Sequence, residues 1–264
     1  MKKRISALVL IDLLFLLLLI ISGTATGALR WVLYFLAYIL PIGIGVLLLC
    51  KYRLSAEPPR LALSKERTIF SGAIFAPTML SVIGLSALTA LILSFFGKTN
   101  EVDVSGNLLY VLFRHALVPA AFEELLFRFI PIKILLPYSK RGAIGVSALL
   151  FALIHLNLFQ IPYALLAGAV FGFLTVASGS ILPCVLLHFL NNLVSVVWMR
   201  NPEASPVILA AILLLCIPSV IYIIRKRSAY AAEILGALDG ERIGFSIELL
   251  VMTVLCIIMS VVSL

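Results

Sequence analysis

Nine apolar runs, each close to the length a helix needs to cross a bilayer, constrain this chain more than any other feature. They cover approximately residues 5–27, 31–50, 69–96, 108–130, 143–159, 161–177, 181–199, 206–224 and 246–264. A hydrocarbon core roughly 30 Å thick takes about 20 apolar residues per helix. The two runs between 143 and 177 are short and part only around Gln160 and Pro162. Of the 264 residues, 63% are hydrophobic and 12% charged, with a mean hydropathy of +1.20. Soluble domains run near half apolar and about a quarter charged, so this chain uses lipid as its solvent. The expected fold is all-α: a polytopic transmembrane helical bundle with eight or nine spans.

A net charge of +8 on a soluble face would suggest a nucleic-acid partner. Here the basic residues lie between apolar runs, where they report orientation instead. With the amino terminus cytoplasmic and each run crossing, fifteen of the 20 lysines and arginines fall in cytoplasmic segments. These are Lys2, Lys3 and Arg4; Lys51, Arg53, Arg60, Lys65 and Arg67; Lys133, Lys140 and Arg141; and Arg225, Lys226, Arg227 and Arg242. Only Arg30, Lys98 and Arg200 fall on the other side. The bias supports both the span count and a multi-pass integral membrane protein, in the cell membrane if prokaryotic, with a cytoplasmic amino terminus. The first run has the outline of a signal peptide, but its apolar part is long and Asp12 interrupts it.

The longest polar connections are 51–68, 97–107 and 225–245, and the last contains a segment, 229–238, expected as a short surface helix. Cys50, Cys184, Cys216 and Cys256 show no metal-ligand spacing and read as buried structural thiols. Ala164, Gly168 and Gly172 place small residues on one face of the sixth run, which favours close helix packing.

Ionisable groups inside apolar helices need partners and mark functional sites. The fourth run carries Glu123, Glu124 and Arg128, the fifth His155, and the seventh His188, Asn191 and Asn192. Glu124 and Arg128 are i and i+4 with the acid on the amino-terminal side, the favourable order for a helical ion pair. Glu123, about 100° further round, then has no partner on its own helix. His188 and Asn192 share one helix face about 6 Å apart, and Phe151 lies one turn from His155. Counted at ~1.5 Å per residue, Glu123, His155 and His188 all fall between the midplane and the cytoplasmic face. Arg114, His115, Asp12, Glu248 and Asn157 read as packing or snorkelling residues.

These residues form three patterns in order: Glu123-Glu-Leu-Leu-Phe-Arg128 (EExxxR), Phe151-Ala-Leu-Ile-His155 (FxxxH) and His188-Phe-Leu-Asn-Asn192 (HxxxN). Together they resemble the motifs of the CPBP family, which includes the type II CAAX prenyl endopeptidases and the bacteriocin-processing or self-immunity (ABI) proteins. The resemblance covers about 108–199 and shows no departure at the motif positions. It implies N-terminal transmembrane helices over 1–107, a catalytic helical core over 108–199 and C-terminal transmembrane helices over 200–264. It further implies an intramembrane endopeptidase in which Glu123 and His155 activate water and His188 and Asn192 bind the oxyanion. Glu124 and Arg128 would support that geometry. The expected partners are the lipid bilayer and a peptide or membrane-protein substrate, lipidated or not, reaching the site from the cytoplasmic side or laterally from lipid. No cofactor is required on this reading. The alternative is zinc held by the two histidines and a carboxylate, although no HExxH is present. A non-catalytic immunity or scaffold protein is the contrasting reading, and a proton-coupled transporter finds no paired broken helices in its favour.

Overall fold

The computed structural model describes residues 1–54, 64–99, 102–235 and 246–262. Among the described residues the chain is helical without strands, the expected membrane bundle. Its helices are α1 (Lys2–Thr24), α2 (Gly27–Lys51), α3 (Lys65–Ser94), α4 (Leu108–Leu112), α5 (Val118–Glu124), α6 (Ile130–Leu135), α7 (Lys140–Leu153), α8 (Ile161–Ser178), α9 (Leu182–Arg200), α10 (Ser205–Leu235) and α11 (Ile247–Val262). Among them α1, α2, α3, α8, α9 and the stretch Pro202–Lys226 are long and apolar enough to cross a membrane. The segment expected as a surface helix instead continues α10 as far as Leu235, and its last three residues lie outside the described residues.

Helices α4, α5 and α6 form one run, joined by π-helical turns at Phe113–Leu117 and Leu125–Phe129. Each π turn is followed two residues later by a proline, Pro119 or Pro131. A proline supplies no N–H to the carbonyl four residues back. The carbonyl freed by Pro131 is that of Phe127, and the Ser147 hydroxyl donates to it from α7. Insertions of this kind recur at functional sites.

The nine apolar runs correspond to these elements, but one span is corrected. At 14 residues, α7 is about 21 Å long, short of the roughly 30 Å needed. It forms a hairpin with α8 that turns back at 154–160. The sequence reads through this turn because Leu156, Leu158 and Phe159 keep it apolar. The reversal rests on Leu156, a non-glycine residue at φ 46°, and on Asn157, whose Oδ1 accepts from the Phe159 N–H at 2.9 Å. The hairpin closes over small residues: a Cβ on Gly168 would stand 3.1 Å from the Ala148 backbone, and one on Gly172 3.3 Å from Ile144.

The basic residues gather at one end. Arg4 donates to the Ile134 carbonyl at 3.1 Å and lies over the rings of Tyr52 and Tyr138, while Arg67 donates to the Ser178 carbonyl at 2.9 Å. At the opposite end Arg200 holds the 102–107 connection through the carbonyls of Val104 and Gly106, at 3.2 and 3.0 Å. The main core joins α1 and α11 to the run 125–153, with Ile5, Leu8, Phe15, Phe127 and Leu150 fully buried. Of the cysteines, Cys184, Cys216 and Cys256 are buried as expected, while Cys50 is exposed at the basic end of α2.

Candidate active site

All six residues of the three motifs meet in one place. Glu124 is fully buried, and its two oxygens face different partners. Oε2 lies 3.3 Å from Arg128 Nε within the run, and Oε1 accepts from His188 Nδ1 at 2.8 Å across to α9. Arg128 is also fully buried, and its guanidinium packs over the Phe151 ring, 3.9 Å from the centroid, and near that of Phe171. Charge and cation–π attraction together hold this cation in an apolar core.

A carboxylate can only accept, so His188 donates from Nδ1 and turns Nε2 towards Glu123, whose Oε2 is 4.0 Å away. Glu123 is partly exposed, to the cavity. Its Oε1 accepts from the Tyr38 hydroxyl of α2 at 3.3 Å. His155 sits one residue past the C-cap of α7, where Nδ1 donates to the Phe151 carbonyl at 2.9 Å. That bond assigns the proton to Nδ1 and presents Nε2 as an acceptor. Phe151 stands edge-on to both imidazoles, with centroids 5.1 Å from His155 and 5.6 Å from His188. Asn192, one turn beyond His188, accepts from Asn191 Nδ2 at 3.1 Å through Oδ1, which leaves its own amide N–H groups for other acceptors.

Glu123, His155, His188 and Asn192 line a cavity of about 230 Å³, while Glu124 and Arg128 stand behind its wall. Its lining includes Val102, Val104, His115 and Met199, all near the end opposite the basic residues. The cavity therefore faces the end that carries the 102–107 connection. His115 lines the cavity, Asp12 is buried with Oδ2 unpartnered, and Asn157 caps the hairpin turn. Packing describes the last two, and snorkelling describes none of the three. Tyr38, Tyr163 and Ser195 are lining or contact residues that sequence reasoning missed. Tyr38 lies 85 residues from the glutamate it touches, with no polar pattern to mark it.

This constellation carries a carboxylate, two imidazoles and an amide around one cavity, groups of the kind that hydrolyse an acyl bond. Residues 105–194 match the type II CAAX prenyl endopeptidase Rce1-like family. The CPBP resemblance of the three motifs is thereby shown for that region, and a protease family with peptide or protein substrates is indicated. No curated protein and no solved structure matches the chain. As for zinc, among the described residues no three His, Cys, Asp or Glu side chains converge closely enough to hold a metal ion.

Proposed function

We propose that the chain is an intramembrane endopeptidase that cleaves a peptide bond with water activated by Glu123. The observation that carries this reading is the relay from Arg128 through Glu124 to His188, which aims an imidazole nitrogen across the cavity at Glu123. Glu123 takes a proton from water, aided by His155 Nε2 as a second acceptor. The resulting hydroxide attacks the carbonyl carbon of the scissile bond. The oxygen that becomes negative is stabilised by the His188 imidazole, held in place by Glu124 through Nδ1, and accepts from the Asn192 amide. Glu123 then passes its proton to the amide nitrogen as the C–N bond breaks, releasing an amine and a carboxylate.

A water claims roughly 30 Å³, so the cavity has room for the nucleophile and part of a peptide. The substrate reaches the carboxylate from the end carrying the 102–107 connection or laterally from lipid. The step needs no metal on this reading, and activity that survives chelation is the expected result. The deciding experiment uses purified protein and membranes from cells with parent protein or Glu123→Ala. A fragment present with the parent and absent with both Glu123→Ala and His188→Ala, each still folded, identifies the substrate. Full cleavage in both variants ends the proposal. A cellular phenotype that persists in both favours the immunity or scaffold reading.

A further inference from the structure

A second pocket, of about 150 Å³, lies outside the catalytic cavity, between the end of α1, the start of α2 and the start of the run at 108. Leu19, Ser22 and Gly23 form its apolar side, and Arg30, Trp31, Tyr34, Tyr110 and Arg114 the rest. Two helix faces supply the cations. Arg30 and Tyr34 are i and i+4 on α2; Tyr110 and Arg114 are i and i+4 on the facing run, where Arg114 Nη1 and the Tyr110 hydroxyl lie 3.5 Å apart. Trp31 clamps the two faces together, edge-on to Tyr110 at 5.7 Å and to Tyr34 at 5.9 Å between centroids.

Among the described residues neither Arg30 nor Arg114 is paired with a carboxylate. Two guanidiniums facing one pocket repel each other unless an anion sits between them. α2 adds to the positive potential, since it starts at Gly27 without a side-chain cap. The level matters as well. The pocket lies at the end of α1 away from Met1, where tryptophan and tyrosine mark the membrane–water interface and lipid phosphates reside. Arginine forks match phosphate oxygens two at a time. We propose that this pocket binds an anionic phosphate group, with Arg30 and Arg114 as its cationic ligands and Tyr110 as a further donor. The pocket shares the α2 face of Tyr34 and Tyr38, one turn from the residue that touches Glu123.

The test uses Trp31 as its own reporter. Full-length Trp198→Phe protein, which keeps Trp31 as its sole indole, is reconstituted into phosphatidylcholine vesicles. These contain rising fractions of dibrominated phosphatidylglycerol or, separately, of dibrominated phosphatidylcholine. Two arginines at an anionic headgroup predict a preference for phosphatidylglycerol on the order of 30-fold in relative association. The preference falls to near unity in Arg30→Gln/Arg114→Gln and persists in Arg30→Lys/Arg114→Lys, which separates lost charge from lost fold. Equal quenching by the two lipids in the parent, or a preference that survives the glutamine pair, overturns the proposal. Millimolar inorganic phosphate distinguishes the sources. Displacement of the brominated lipid supports the site with a soluble anion as occupant, and no displacement supports it as a lipid-headgroup site.

Discussion

Replacing Glu124 by glutamine keeps its shape and removes one charge from a pair whose side chains are both fully buried. Arg128 would then remain as an uncompensated cation against Phe151 and Phe171. Breaking a buried pair from one side costs about 3–5 kcal/mol, and a loss of that size is expected for Glu124→Gln. Removing the other charge as well, in Glu124→Gln/Arg128→Met, relieves the stranded cation and restores most of the stability, because an apolar replacement of a buried pair is often neutral or better. Activity behaves differently. His188 loses the carboxylate that fixes its ring, so both variants lose roughly 10²–10³-fold in kcat, the loss typical for one oxyanion donor. Stability is read in detergent from the reaction of a thiol dye with Cys184, Cys216 and Cys256 on unfolding, in a Cys50→Ser background that removes the exposed thiol. Cleavage is read on the substrate fragment. A single variant as stable as the parent, or a double variant that regains both stability and cleavage, refutes the coupling of Arg128 to His188 through Glu124.

Tyr38→Phe removes the donor to Glu123 Oε1 while keeping the ring contacts with Phe15 and Phe122. A lost hydrogen bond to a carboxylate predicts about a tenfold fall in kcat with KM unchanged, and an unchanged kcat separates Tyr38 from the reaction. Cys50, exposed at the basic end, reports orientation. A membrane-impermeant maleimide is expected to label it in inverted vesicles and not in right-side-out ones, with no label in Cys50→Ser. Labelling from the outside would reverse the sidedness and put the catalytic cavity on the cytoplasmic side.

What the sequence discloses about this site follows the range of the interactions. Glu124 with Arg128, Phe151 with His155, and His188 with Asn192 are all separated by four residues, so the local periodicity of a helix makes each pair readable. The contacts that make a single site of them run between helices. Glu124 reaches His188 over 64 residues and Tyr38 reaches Glu123 over 85, and no spacing within one helix encodes either. The same limit explains the fifth span. Hydropathy sums side chains and sees an unbroken apolar run through 159, whereas the chain turns on the backbone of Leu156. That turn has a chemical consequence. Stopping α7 at about 21 Å brings His155 off the helix end and into the cavity that Glu123 lines. The hairpin borders an open cavity beside a charged group, and the Arg128–Glu124–His188 relay supplies partners for that group among apolar helices.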